Sequence, residues 1–446
     1  MDRARAKALK VLGRWERKRG SPIDPLFQRL VEGDEALSRR DKAFCRELVY
    51  GVLRWLSRID HLIERHSKLG IRKLDPLVRN IIRLGVYQLL FLDRVPPWAA
   101  VSEAVELARG MGRQGAAGFV NGVLRAVQRE GASFSYEAPD RTSWIALFWA
   151  HPLWMVKMWA ERWGAEEAEA LCRANNAVPP LTVRTNALKT DREGLLKRLE
   201  AEGMEPRPTP YSPWGLILGK PEGLTEGEAF REGLFQVQDE AAQLISWLLG
   251  PKPGQRVLDL CAAPGGKTTH MAELMGDEGE IVAVDVSPRK LKLLKENCLR
   301  LGLRIVRPRR ADATSPLPFR PGSFDRVLAD VPCTGLGVLR RHPDAKWRIR
   351  PEDPERLSRI QLQVLGEGAR MLKGEGLLLY STCTLTLEEN EGVIEEFLRD
   401  GGFELLDPRK EFPRLEGLFS PEGFLLTLPH RHGTDGFFAA LLRKRG

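Results

Sequence analysis

Two cysteines carry the clearest chemistry in this sequence. Phe324-Asp325-Arg326-Val327-Leu328-Ala329-Asp330 reads as a buried strand, and Asp330-Val331-Pro332-Cys333-Thr334-Gly335 leaves it. Gly376-Leu377-Leu378-Leu379-Tyr380-Ser381-Thr382-Cys383 reads as a further strand that ends in a second cysteine. Two thiols, each just past a strand end, point to nucleophilic thiol chemistry. No Cys-x-x-Cys or clustered Cys/His spacing accompanies them, which argues against zinc. A reducing compartment would argue against a disulfide. The plain alternative is a pair of small buried thiols.

The group that such thiols would work with is indicated upstream. Val257-Leu258-Asp259-Leu260 is a short apolar run, Cys261-Ala262-Ala263-Pro264-Gly265-Gly266-Lys267 a small-residue loop, and a helix resumes from about Thr268. In an open α/β sheet the carboxyl ends of the strands are where ligands bind. Gly265 and Gly266 allow close approach of the backbone, and the helix start offers unpaired N–H groups. An ordinary strand-to-helix turn is the plain alternative. Two ligands compete for the loop. A Walker loop would use Gly266-Lys267-Thr268, but Cys261 stands where its first glycine belongs. An adenosyl cofactor is the other reading. It gains from Asp285, which ends the strand Ile281-Val282-Ala283-Val284-Asp285, 20 residues after Gly265, the spacing at which a carboxylate takes ribose hydroxyls. Asp312 follows at the next loop. Taken singly each Asp reads as a cap or turn residue; as a series at successive strand ends they favour nucleoside binding.

These residues need a parallel sheet to position them, and the rest of the chain reads differently. At 446 residues, 43% hydrophobic and 29% charged, the sequence has room for two or three globular domains. No apolar run reaches transmembrane length and the N-terminus lacks a signal-peptide core, so the expected location is cytoplasmic, with no membrane partner. Residues 1–130 hold 26 Lys and Arg against 15 Asp and Glu, a surplus of 11 in a chain whose net charge is +9. A separately basic front domain points to a polyanion, with a solvated surface as the alternative. That front reads as all helix: residues 3–19, then 39–66 with Phe44, Leu48, Val52, Trp55, Ile59, Leu62 and Ile63 on one face, 76–92, 101–109 and 116–129. Asp75-Pro76 supplies an N-cap and first-turn proline. Residues 131–142, with Ser133 and Ser135, read as a linker, and 144–176 as Trp-rich helix. Residues 181–186 and 214–218 read as strands around a helix at 191–203, and two apolar runs at 424–428 and 436–442 as an antiparallel hairpin on the sheet edge.

Over residues 257–267, 283–287, 330–335 and 380–383 the chain resembles the S-adenosylmethionine-dependent RNA cytosine-5 methyltransferases, and among them the ribosomal RNA enzymes of the Sun, Fmu or RsmB type. Val101-Ser102-Glu103-Ala104-Val105-Glu106-Leu107-Ala108 and Phe119-Val120-Asn121-Gly122-Val123-Leu124 are similar to NusB, an RNA-binding helical protein. The resemblance implies a multidomain fold: an all-α NusB-like domain (1–130), a helical and small α+β connector (143–240) and an α/β Rossmann-like, class I methyltransferase domain (241–446). It implies S-adenosyl-L-methionine as cofactor, held by Cys261, Ala262, Ala263, Pro264, Gly265, Gly266, Lys267, Asp285, Asp312 and Asp330. It makes Cys383 the nucleophile and Cys333 the cysteine that assists product release. Asp330, close in sequence to Cys333, is expected to bond the ring at N3, the cofactor, or both. The implied partner is 16S ribosomal RNA, naked or partly assembled, met by a monomer without metal.

Cysteine suits this reaction for a physical reason. Carbon 5 of cytosine is a poor nucleophile; a thiolate adding at carbon 6 turns it into a carbanion equivalent that can take a methyl group. Two other classes stay in view: a P-loop ATPase, and a non-catalytic NusB-like assembly factor, against which both intact cysteines argue. Three further readings are open. Arg184 either meets a phosphate or is simply exposed. The basic stretch 336–350, with Arg340, Arg341, His342, Lys346, Trp347, Arg348 and Arg350, suits single-stranded RNA or is a mobile loop. Glu388-Glu389-Asn390-Glu391 suits the start of a helix.

Overall fold

A computed structural model describes residues 2–18, 20–131 and 136–445. Arg19, Ser133 and Ser135, which the sequence puts at a helix end and in a linker, lie outside the described residues. The chain forms two compact units: Met1–Val178 together with Leu339–Pro351, and Pro179–Val338 together with Glu352–Gly446. The three-part division expected at 130, 143–240 and 241–446 is drawn along different lines from these units. No helix among the described residues is long and apolar enough to cross a membrane.

The first unit is helical. Helices α1 (Arg3–Arg17), α2 (Arg39–Arg54), α3 (Leu56–His66), α4 (Pro76–Phe91), α5 (Pro97–Gly110) and α6 (Ala117–Glu130) bury Leu9, Leu48, Ile59, Ile81, Val101 and Leu124 in one core. Each such side chain contributes about 1.5–3 kcal/mol by leaving water. Asp75 caps α4 through Leu77 and Val78 N–H, with Pro76 in the first turn, as the sequence implies. The single helix expected over 39–66 is instead two. The chain turns at Trp55 (φ −110°, ψ 17°), whose ring stacks on Phe91 at 4.6 Å, and the apolar face continues on both sides of the break. Helices α7 (Arg141–Phe148), α8 (Leu153–Trp163) and α9 (Ala165–Asn175) follow in the same unit.

The second unit holds two sheets. The smaller has order β2-β3-β1-β4, built from β1 (Leu181–Thr185), β2 (Pro206–Pro208), β3 (Gly215–Leu218) and β4 (Phe235–Val237). Helix α10 (Arg192–Ala201) buries Leu195 and Leu199 with Val183, Leu216 and Phe235. Helix α11 (Glu240–Leu249) leads into the larger sheet. There β5 (Arg256–Asp259), β6 (Glu280–Asp285), β7 (Val306–Arg310), β8 (Phe324–Asp330) and β9 (Leu372–Thr382) are parallel in the order β7-β6-β5-β8-β9. Helices α12 (Gly266–Leu274), α13 (Pro288–Leu301) and α14 (Asp353–Met371) form the crossovers from β5 to β6, β6 to β7 and β8 to β9, residues 311–323 join β7 to β8 without a helix, and α15 (Glu391–Leu398) follows β9. This is a doubly wound, Rossmann-like sheet whose first strand lies at the point where the order reverses. The expected C-terminal hairpin forms beside β9: β11 (Leu425–Thr427) pairs antiparallel with the first residues of β12 (Phe437–Lys444), and a further strand, β10 (Phe403–Leu405), pairs with its last, so β12 has neighbours on both sides. Its side chains explain this: Phe437 to Leu442 are buried without a break, as an interior strand requires.

Candidate active site

The parallel strands set the expected residues in a row along one edge of the sheet. β7 ends at Arg310, just before Asp312; β6 ends at Asp285; β5 runs into the 261–267 loop; β8 ends at Asp330; β9 ends at Thr382, just before Cys383. Main-chain bonds tie neighbouring ends together, Ala262 N–H to Val284 O (2.9 Å), Leu260 N–H to Leu328 O (3.0 Å) and Val331 N–H to Ser381 O (3.1 Å).

On the cofactor side, Gly265 adopts φ +103°, and a Cβ there would stand 2.9 Å from Leu294 Cγ, so only glycine fits between the loop and α13. Asp285 is buried. It takes Ala263 N–H (3.3 Å) on one oxygen and Ser287 N–H (2.8 Å) on the other, leaving acceptor capacity on each. Asp312 is exposed, and the hydroxyl and N–H of Thr314 hold its carboxyl below the usual range. Carboxylates at successive strand ends around a close-approach glycine loop are a donor set that fits a nucleoside with free ribose hydroxyls. The loop does not serve as a Walker cradle. Thr268 is fully buried and donates to Asp259 (2.7 Å), while Lys267 is committed to Asp330 (2.7 Å). Burial pushes Asp259 up to about 7, opposed by the Thr268 bond and reinforced by the charge of Asp330.

Asp330 joins the two halves of the site. One oxygen accepts Lys267 Nζ at 2.7 Å, the other Ser381 Oγ at 2.8 Å. Lys267 also lies 4.9 Å from the centre of the Phe437 ring, a cation–π contact that fixes its ammonium. Beyond Asp330, Cys333 and Cys383 face each other with sulfurs 3.4 Å apart, and Cys383 N–H points at Cys333 Sγ at the same distance. Both are partly exposed. Cys333 is held well above the ordinary thiol range by its bond to Cys383, by burial and by the nearby carboxylate of Glu389. Cys261 is likewise raised, mainly by burial and then by Asp259, Asp330 and Asp285, which keeps it a thiol. Close approach of backbone completes this end. Gly337 N–H donates to Cys383 O (2.9 Å) and Gly436 N–H to Gly337 O (2.8 Å); a Cβ on Gly337 would fall 2.1 Å from Gly436 O.

Two readings of the sequence are corrected here. Arg184 is neither exposed nor set to meet a phosphate: it is fully buried. It pairs with Glu273 (2.6 and 3.0 Å), donates to Gly266 O (2.8 Å) and bonds Gln238, so it pins the start of α12 from beneath. The basic stretch after Cys333 is not a mobile loop either. Residues Leu339–Pro351 belong to the helical unit, where buried Lys346 donates to Arg54 O (2.9 Å), Ala150 O (3.1 Å) and Asn176 Oδ1 (2.7 Å). Trp347 Nε1–H donates to Leu53 O (2.6 Å). These groups satisfy backbone carbonyls in a core, which is costly to leave undone. Residues that help build the site and that the sequence did not single out for it are Asp259, Arg184 as a pin, Gly337 and Glu389. Gly-Leu-Gly after Cys333-Thr334 was the available signal for Gly337; nothing local marked Glu389 as more than a helix-start acid.

The sequence matches the 16S rRNA methyltransferase RsmB/F family over residues 246–443, the NusB family over 2–129, and the ferredoxin-like domain of RsmF/B-like methyltransferases over 151–225. It is similar to a probable ribosomal RNA small subunit methyltransferase B of Bacillus subtilis, 40% identical over 425 residues that cover 94% of each chain. Among solved structures, it is similar to that of PH0851 (TM-score 0.82, 28% identity, 100% of this chain and 99% of the other). It is also similar to NSun6 from Pyrococcus horikoshii with SFG (TM-score 0.59, 26% identity, 66% of this chain and 98% of the other).

Proposed function

This chain belongs to the 16S rRNA methyltransferase RsmB/F family, and from that premise we propose that it methylates carbon 5 of one cytosine in small-subunit ribosomal RNA through a covalent bond between Cys383 and carbon 6. S-adenosyl-L-methionine is the cofactor, and it supplies an electrophilic methyl on a sulfonium. Asp285 and Asp312 would hold its ribose and the 261–267 loop its amino-acid end. The observation that carries the proposal is the 3.4 Å separation of two thiols at the strand ends next to Asp330.

The roles follow from position and protonation. The Cys383 sulfur adds to carbon 6, and the electron pair moves to carbon 5, which takes the methyl group. A base removes the carbon 5 proton, the carbon 5–carbon 6 double bond re-forms, and the Cys383 sulfur leaves. Asp330, placed between Lys267 and Ser381, is proposed to meet the ring at N3 through a shared proton, the cofactor, or both; a proton at N3 favours addition. Cys333, kept a thiol by its surroundings, assists release of Cys383.

Three working parts are proposed: 1–130 docks RNA, 143–240 supports it, and 241–446 carries the reaction. The front part brings a surplus of basic charge and a cavity of about 1150 Å3 whose lining includes Arg3, Lys7, Lys10, Arg17 and Arg113 as well as Glu16, Asp34 and Asp75. The working form is proposed to be a cytoplasmic monomer acting on naked or partly assembled RNA. Bisulfite mapping after incubation with unmodified 16S RNA and cofactor tests the reading. One newly protected cytosine is expected; a methylated RNA with every cytosine still convertible would contradict it. Labelled S-adenosylmethionine should bind where ATP does not.

A further inference from the structure

We propose that Glu389 is the positioning residue that clamps the Cys333 loop to the Cys383 loop and so sets the distance between the two thiols; the proposal rests on the two-thiol reading above. The two loops leave different strands. Pairing of β8 with β9 runs out at Asp330 and Ser381, so beyond that point no sheet ladder fixes Cys333 against Cys383. Glu389 spans the gap. One carboxylate oxygen accepts Thr334 N–H (2.8 Å) and Gln361 Nε2–H (3.1 Å); the other accepts the hydroxyls of Thr334 and Thr386 (2.9 Å for Thr386). Thr334 adjoins Cys333, Thr386 lies three residues past Cys383, and Gln361 anchors both to α14. Four donors fill the acceptor capacity of a carboxylate.

The surrounding bonds make the clamp stiff. Thr334 and Thr384 hydroxyls meet at 2.6 Å, bringing the loops together a second time. Tyr380 Oη donates to Glu389 O and to Gln361 Oε1 (3.0 Å). Asn390 accepts Thr382 Oγ1 (2.6 Å) and donates to Thr384 O (3.1 Å), holding the Cys383 loop from its other side. Glu389 is fully buried, and every donor to its carboxylate named here is neutral. Burying a carboxylate on neutral donors is expensive, and a well-packed apolar group would stabilise the fold more simply. A positioning task explains its presence; the cost falls at the one place where two catalytic loops must be locked.

The test uses Glu389→Ala, Glu389→Gln and the milder Thr386→Val in the full-length protein. Glutamine can keep the clamp: its carbonyl serves Thr334 N–H and Gln361, and its amide faces two hydroxyls that can rotate to accept. Glu389→Ala is expected to lower kcat about 100-fold, the scale of an ångström-level misplacement, with KM for cofactor and RNA within about twofold. Glu389→Gln is expected to recover most of the loss, and Thr386→Val to fall between, which carries the test if the alanine variant does not fold. A second readout needs no RNA. Diamide, an azo oxidant, takes two electrons and two protons from the thiols to form a Cys333–Cys383 disulfide; wild type and Glu389→Gln should form it about tenfold faster than Glu389→Ala. Wild-type disulfide rate and kcat in both Glu389→Ala and Thr386→Val would overturn the clamp. So would a loss of kcat in Glu389→Gln equal to that in Glu389→Ala. A disulfide contrast in a protein that methylates no cytosine would support the clamp while removing the reading of function on which its purpose rests.

Discussion

The two ends of the site are held in different ways. At the cofactor end, the loop from Cys261 to Lys267 is fixed by strand-to-strand main-chain bonds, by Asp285 on Ala263 N–H, and by Arg184 under the first turn of α12. At the thiol end, the chain has left the sheet; the main-chain bond from Gly337 N–H to Cys383 O remains, and side chains from Thr334, Gln361, Thr386 and Glu389 supply the rest of the geometry. A backbone-built cradle loses little when one surface side chain changes, whereas a side-chain clamp depends on each member. Damage at the cofactor end should therefore be read in stability and affinity, and damage at the thiol end in turnover with the fold intact.

The largest effect expected is that of Cys383→Ala. Removing the proposed nucleophile should lower kcat by on the order of 10⁴-fold or more while the melting temperature and cofactor affinity hold. Methyl transfer near the wild-type rate would erase the contrast. Next is Arg184→Met. It leaves Glu273 buried without its cation, and a broken buried pair costs about 3–5 kcal/mol, so urea unfolding should shift strongly and cofactor affinity fall with it. An unshifted unfolding midpoint would show that the cofactor loop does not lean on Arg184.

Asp259 sharpens the comparison through pH. Its folded carboxyl is raised to about 7, so between about pH 4 and 7 the folded protein keeps a proton that the unfolded chain releases. Its contribution is present at acid pH and is lost as pH rises through that window, by about 4 kcal/mol at most. Asp259→Asn should flatten the dependence of stability on pH there; an unchanged slope would place the titration elsewhere. Last comes Gly337→Ala. The added methyl would press on Gly436 O and Cys383 O, and turnover should fall about 100-fold with cofactor binding unchanged. Loss of cofactor binding instead would mean that the two ends are not separable.

What was legible in the sequence follows the same divide. Local signals placed the start of α4 at Asp75-Pro76, and they placed the buried strands ending at Asp285 and Asp330, because caps, prolines and apolar runs are written in consecutive residues. Long-range pairing is not. Arg184 meets Glu273, 89 residues away, and an arginine on a strand carries no mark of that partner. The stretch 336–350 looked like an RNA-binding or mobile loop because basic residues surround Trp347 in it. Lys346 and Trp347 turn out to satisfy carbonyls of the helical unit. Glu389 looked like an acid suited to a helix start; its carboxylate reaches back 55 residues to Thr334 instead. Trp55 breaks a helix whose apolar periodicity runs straight through, because periodicity reports which face is buried and not whether the axis turns.

The most direct test of the thiol chemistry is Cys333→Ala incubated with cofactor and unmodified 16S RNA, then resolved under denaturing conditions. A protein–RNA species linked through Cys383, found by peptide mass spectrometry and absent from Cys383→Ala, is the expected result. Free methylated RNA released at the wild-type rate with no linked species, or a link that persists in the double variant lacking both sulfurs, would contradict the account.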